Sequence, residues 1–268
     1  MSKRFQRMPR TGVRLTERDL EIVWAVWEAR YLTTQLVARL LFSPTTYSGC
    51  KERLRRLYDL RYLDKRRAHV NDPDIYYLGL QGRRHIASLG EWDQGTVDRA
   101  AGVAGGQVAG PSSLLMMDHD LTLSRLYVNA RRECAGYGWA LRWRNARLLE
   151  MEKLGVQPDA WLEVGHGESQ RSAYLEFTAA MPDAKELQGK IASYEALWER
   201  TGTPVPVLWL ATTRHKVNAL REAAQRSSYR DCFLLGSIES ASAMLTGEIW
   251  RWSEAPEGMV QWIKPPRE

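Results

Sequence analysis

Apolar residues first recur at helical spacing at Leu20, Val23, Trp24 and Trp27, which predicts one buried helix face. Thr16 with Asp19 three positions later resembles a capping box at its start, Asp standing where Glu is usual. A second helix is predicted from Thr33 as N-cap, burying Leu36, Val37, Leu40 and Leu41. A third opens at Ser43 with Pro44 in the first helical position and runs to about Leu60, turning Tyr47, Cys50, Leu54 and Leu57 inward. The period then shortens. Residues 62–70 and 75–80 read as two strands around the turn Asn71-Asp72-Pro73-Asp74, with a short helix over 81–89 closing the unit.

Residues 91–113 are rich in Gly, Ala and Ser and predict a flexible linker. From Leu114 the pattern is mixed. A helix carries Leu115, Leu121, Leu123, Leu126 and Tyr127 to about Cys134, and strands follow over 139–143, 160–164 and 173–177. The last two strands are joined by the turn Gly165-His166-Gly167-Glu168. A helix over 183–200, an apolar strand over 205–210, a helix over 214–225 and a strand over 232–235 complete the order αβββαβαβ. That order predicts an α/β domain with a mixed central sheet, onto which Trp250, Trp252 and Trp262 pack back. The expected class is therefore α+β. A helical unit with a hairpin occupies 1–90, a linker 91–113, and an α/β domain 114–268.

Charge separates the two ends. Residues 1–90 hold 18 Lys and Arg against 9 Asp and Glu, a net of +9, while the remainder holds 20 against 23, a net of −3. A basic module exchanges counterions with a polyanion, so double-stranded DNA is the expected partner of the N-terminal unit. No stretch approaches the roughly 18 apolar residues of a membrane span, and the basic N-terminus leads into no apolar run, so neither membrane nor secretion is expected. Cys50, Cys134 and Cys232 are odd in number and far apart, which fits buried thiols in a reducing cytoplasm better than a disulfide or zinc framework.

Three helices and a hairpin in this order are the winged helix-turn-helix arrangement, whose third helix enters the major groove. Thr45, Thr46, Tyr47 and Ser48 are then expected near bases or phosphates, with Lys51, Arg53, Arg55 and Arg56 along the groove. The wing would add Arg61, Lys65, Arg66, Arg67 and His69. Of residues 51–67, eight are Lys or Arg. Six phosphate contacts would lower affinity by about 10³ or more between 50 and 200 mM salt.

In the second domain, Pro158-Asp159 followed by Glu176-Phe177-Thr178 resembles the PD-(D/E)XK nuclease core. The resemblance implies that Asp159 and Glu176 hold a magnesium ion and that a Lys two residues after the Glu orients the attacking water. Here that position is Thr178, and Lys190 on the following helix is the candidate replacement. Glu133 is a further candidate carboxylate. His166 and His215 suggest no triad or metal cluster. The whole order, running from the helix with His119 through Pro158-Asp159, Glu176, Lys190-Ile191-Ala192-Ser193-Tyr194 and Thr212-Thr213-Arg214, is similar to the replication-relaxation family. That similarity covers about residues 15–236. It implies a winged helix joined to a nuclease-like fold, DNA binding at plasmid replication or mobilisation origins, and often no convincing nuclease site.

The leading reading is a non-catalytic, sequence-selective DNA-binding protein of a plasmid, phage or mobile element, acting in transcriptional regulation or origin processing. It needs no cofactor, and a homodimer and a replication or mobilisation protein are its further expected partners. The rival is a Mg-dependent endonuclease using Asp159, Glu176 and Lys190. A protein-interaction adaptor is the third reading.

Overall fold

A computed structural model describes residues 14–67, 72–104, 107–108, 114–150, 153–166, 169–253 and 258–264. The chain divides into two units, Met1–Val128 and Asn129–Glu268. His69 and Asn71 of the expected wing, Gly167 and Glu168 of the expected turn, and positions 105–106 and 109–113 of the expected linker lie outside the described residues.

In the first unit, α1 (Glu17–Ala29) starts at the predicted capping box, with Thr16 and Asp19 each accepting from the other's backbone N–H. After β1 (Leu32–Thr33), α2 (Thr34–Leu41) begins where the Thr33 hydroxyl accepts from Leu36 N–H. The Ser43-Pro44 signal opens only a short 3-10 turn, Pro44–Thr46, and α3 (Tyr47–Asp59) begins after it. Ser43 makes no side-chain cap to a backbone N–H. Its hydroxyl bonds those of Thr45 and Thr46 instead, at 3.0 and 3.1 Å, which favours the tighter turn. Tyr47, expected to face inward, is exposed.

Strands β2 (Leu63–Arg66) and β3 (Ile75–Leu78) pair antiparallel, and β1 adds to the other side of β3 to give the order β1-β3-β2. The bend from α3 into β2 is fixed from behind by α4 (Leu80–Ser88). Gln81 N–H donates to the Arg61 carbonyl and Gly79 N–H to that of Tyr62, both at 2.9 Å. A Cβ at Gly79 would lie 2.4 Å from the Arg61 carbonyl oxygen, and one at Gly82 would lie 2.2 Å from that of Tyr62. No side chain fits at either position.

The expected linker is a correction. Much of 91–113 is ordered: α5 (Gln94–Ala100) is capped by Asp93, buries Val97 and Ala100, and receives Arg83 on Asp98 at 2.7 Å. Trp92 lies edge-on to Trp27 with ring centroids 5.3 Å apart. Small residues carry this helix, so it lacks the large apolar repeat that marks the others. Strands β4 (Val103–Ala104) and β5 (Gln107–Val108) follow, and α6 (Leu114–Tyr137) begins in this unit. The Tyr127 hydroxyl donates to Glu28 at 2.7 Å, and Ser124 donates to the Tyr31 carbonyl at 2.5 Å. The first unit thus reaches Val128 rather than ending at position 90.

The second unit takes the end of α6, then β6 (Ala140–Asn145), α7 (Ala146–Glu150), β7 (Ala160–His166), β8 (Ser169–Thr178), α8 (Ala184–Thr201), β9 (Val207–Ala211), α9 (Arg214–Ala224), β10 (Phe233–Ser237) and β11 (Arg251–Trp252). Its sheet has the order β11-β10-β9-β8-β7-β6. Strands β8, β9 and β10 are parallel to their neighbours in that run, and the outer pairings are antiparallel. This is the expected mixed sheet, with α7 and β11 additional. A capping box, Asp183 with Glu186, starts α8, and Gly202 ends it at φ 67°. Helices α8 and α9 cover one sheet face around Tyr194, Trp198, Trp209 and Phe233. Trp250 and Trp262 are buried, as expected of the tail.

Asp19 anchors the first unit. It is fully buried and accepts from Thr16 N–H at 2.8 Å, the Thr16 hydroxyl at 2.9 Å and Arg53 at 3.0 Å. Burial alone would raise its carboxyl, but these bonds outweigh it and hold the group below its ordinary value. Asp19→Ala is expected to cost about 2–3 kcal/mol in thermal or urea unfolding followed by circular dichroism. Because the folded value is depressed, the Asp19 contribution is complete above the ordinary carboxylate range and is lost as pH falls through the folded value. The variant should therefore show a weaker acid destabilisation than the parent.

Candidate nucleic-acid interface and carboxylate cluster

The 3-10 turn and the first turn of α3 present Thr45, Thr46, Tyr47 and Ser48 to solvent. Lys51, one turn on, is exposed with its Nζ 4.7 Å from the centre of the Tyr47 ring. Gly49 lies between them, and a Cβ there would meet nothing within 4 Å. Arg61 is exposed at the α3–β2 bend, where its backbone takes φ 63°.

The other expected contacts are drawn into the fold. Arg53 bonds Asp19 and Thr16. Arg55 pairs with Asp59 four residues on, at 3.1 Å, and lies over the Tyr58 ring. Arg56 donates to the Arg14 carbonyl. Lys65 and Arg67 both reach Asp74, at 3.2 and 2.6 Å. With 4% of its side chain exposed, Lys65 offers a phosphate almost nothing. Arg66 is half-buried in β2. Two basic residues outside the expected set belong to the same unit's surface: Arg18, exposed over the Phe42 ring at 5.4 Å, and half-buried Arg39. Reading cations alone misses their acidic partners. The Arg55–Asp59 spacing signals its pair, whereas Asp74 meets Lys65 and Arg67 only because β2 and β3 pair.

In the second unit, Glu176 and Thr178 share a face of β8 by the two-residue strand period, opposite Trp209 and Ala211 of β9 in register. Lys190 and Tyr194 share a face of α8, one turn apart. Glu176 is 1% exposed and both its oxygens are engaged: Lys190 Nζ donates to Oε2, and the Tyr194 hydroxyl donates to Oε1 at 2.6 Å. Asp159 Oδ2 accepts from Phe177 N–H at 2.7 Å. Thr178, at the position where the resemblance implies a lysine, accepts from the Trp209 indole at 2.9 Å. Lys190 Nζ lies 5.8 Å from the centre of the Trp209 ring. The structure thus brings Asp159, Glu176 and Lys190 together and adds Tyr194, which the i, i+4 spacing from Lys190 signals.

Glu133 is not part of this cluster. Its carboxylate accepts from Leu245 N–H, Thr246 N–H and the Thr246 hydroxyl, and so ties α6 to the segment before Trp250. His215 is exposed at the start of α9, and His119 lies 4.0 Å from Asp120.

A magnesium ion does not fit these residues as they stand. Divalent cations need free carboxylate oxygens, but a phenol and an ammonium already occupy those of Glu176, and a backbone amide binds one of Asp159. Among the described residues no group of three or more His, Cys, Asp or Glu is placed to hold a metal ion. Burial pushes the Glu176 carboxyl up to about 7 against the pull of Lys190, whose own ammonium is held above its ordinary value by Glu176 and Asp159 despite burial. We take the lysine as charged and the carboxyl as the group that titrates.

A family model described as replication-relaxation matches residues 25–207, from within α1 to the start of β9. No curated protein and no solved structure matches the chain. Among the described residues no helix is long and apolar enough to cross a membrane.

Because the folded Glu176 value is raised above its ordinary 4.5, the fold binds a proton more tightly than the unfolded chain. Its contribution is present at low pH and lost as pH rises from about 4.5 to about 7. Glu176→Gln should flatten the stability profile across that window, removing a change on the order of 2–3 kcal/mol in urea titrations at stepped pH.

Proposed function

The chain belongs to the replication-relaxation family, and on that premise we propose that it acts in plasmid or mobile-element replication or mobilisation by binding duplex DNA through its first unit. In this reading α1–α3 with β2 and β3 form a winged helix-turn-helix, and the exposed start of α3 enters the major groove. The observation that carries it is the face formed by Thr45, Thr46, Tyr47, Ser48 and Lys51, from which every large buried contact is absent and on which Gly49 leaves open space. Hydroxyls and a stacked cation suit base edges and phosphates, and Arg61 at the bend is placed for the flanking backbone. Arg53, Arg55, Lys65 and Arg67 hold that surface in shape through Asp19, Asp59 and Asp74. The second unit acts without cleaving DNA, by contacts with a second copy or with a replication or mobilisation protein.

With fewer cations free than the composition suggests, about four phosphate contacts are expected, and affinity should fall about 10²-fold between 50 and 200 mM salt. Fluorescence anisotropy of a labelled duplex with the full chain measures this. Lys51→Glu with Arg61→Glu should weaken binding by about tenfold or more and flatten the salt slope, while Arg226→Glu, an exposed change in the second unit, should not. Equal loss in both, or in neither, removes α3 from the interface. Supercoiled plasmid incubated with the protein and Mg²⁺ should remain uncut, and nicking abolished by Asp159→Ala would replace this reading with an endonuclease.

Gly49→Ala gives an independent check on the contact face. Alanine should raise stability by about 0.5–1 kcal/mol, since the added methyl meets nothing and a helical glycine is unfavourable. If DNA closes over this turn, the same change should weaken binding by about fivefold or more. A variant that is more stable and binds as tightly as the parent places DNA elsewhere.

A further inference from the structure

The Glu176 cluster poses a problem of charge. A carboxylate 1% exposed and packed under α8 needs a compensating positive charge or a proton. In two-carboxylate sites on adjacent strands a divalent cation commonly supplies that charge. Here Lys190 reaches Glu176 Oε2, and the electrostatic influence of Asp159 also acts on its ammonium. The lysine faces two carboxylates, one from the start of β7 and one from β8. Tyr194 completes the shell on the second Glu176 oxygen. At position 178 on the same face of β8 a threonine is fixed by the Trp209 indole, so no second cation enters from the strand. The Trp209 ring, whose π-face also attracts cations, lies on the far side of the ammonium.

We propose that the Lys190 ammonium is a built-in replacement for a divalent cation between Asp159 and Glu176, and that removing it converts this pair into a Mn²⁺ site. Two consequences follow from the chemistry. The parent protein is indifferent to metal, because entry of a dication would have to expel a tethered ammonium from both carboxylates. Truncation of Lys190 leaves two carboxylates with uncompensated charge around a space of ammonium size, which hard oxygen ligands offer to a small dication. The inference deepens the non-cleaving role given to the second unit, and it does not depend on whether α3 touches DNA.

The test uses the full chain after chelation, with Mn²⁺ as the probe. Thermal unfolding of the parent should be the same in EDTA and in millimolar Mn²⁺. Lys190→Ala and Lys190→Met should unfold at lower temperature in EDTA and regain about 3 °C or more with Mn²⁺. Titration calorimetry should show one Mn²⁺ taken up by each variant, and none when Glu176→Gln is added. A parent whose stability rises with Mn²⁺ in a manner lost with Asp159→Asn overturns the proposal, as do Lys190 variants that take up no Mn²⁺. Should neither variant fold in EDTA, recovery on refolding with Mn²⁺ supports it, and failure to recover counts against it. Duplex binding, read in parallel by anisotropy, should be unchanged in Lys190→Met, so a failure here is separable from a failure of the DNA-binding reading.

Discussion

A carboxylate removed from water must meet its counter-charge inside the fold, and this constraint shapes both units. Asp19 meets Arg53, Asp59 meets Arg55, Asp74 meets Lys65 and Arg67, and Glu176 meets Lys190. Glu28 and Glu133 are served by hydroxyls and backbone amides instead. In every case the partner comes from a different turn or element, so each pair fixes two pieces of chain as well as a charge. Asp19 does this for the start of α1 and the middle of α3, and Asp74 does it for the two strands of the hairpin.

The same pairing decides what is left for a partner. The first 90 residues carry a net +9, and counting them invites a broad basic surface. Much of that charge is committed inward. What remains around α3 is a narrower face with Lys51 at its centre and Arg61 at its edge, bordered by hydroxyl groups. A narrower face changes the expected mode of binding. Fewer phosphate contacts mean a gentler salt dependence and a larger share for groups that can discriminate among bases.

How much of this is legible in the sequence follows from the range of each interaction. Signals that act over three or four residues read directly: the Thr16–Asp19 box, Thr33 as N-cap, the Arg55–Asp59 pair, and the apolar run that becomes β9. The alternation of the central strands is also plain, because a sheet covered on its faces leaves little choice of side chain. Contacts closed by tertiary structure do not read. Nothing near Lys65 announces Asp74, and nothing near Asp93 reveals that a helix of small residues lies beyond it. The start of α3 misleads for a local reason, since a serine hydroxyl that bonds neighbouring threonines no longer caps a helix. Asp159, Glu176 and Lys190 were readable as candidates, but their relation was not. It depends on the turn of α8 that places Lys190 and Tyr194 together over β8.

That relation separates two uses of one residue type. A lysine two positions after the glutamate would stand beside it on the same strand face, leaving both carboxylate oxygens free for a metal and its own ammonium free for a water. A lysine lowered from a helix approaches the carboxylate head-on and consumes an oxygen. With Tyr194 on the other oxygen, Glu176 has no acceptor left to offer, and Thr178 is tied to Trp209 where the strand lysine would have been. The cluster therefore retains the charge balance of a cation site while closing the positions through which such a site acts. The stability of the six-stranded sheet then rests on residues this chain carries itself, and any chemistry on DNA belongs to whatever the protein brings to the duplex.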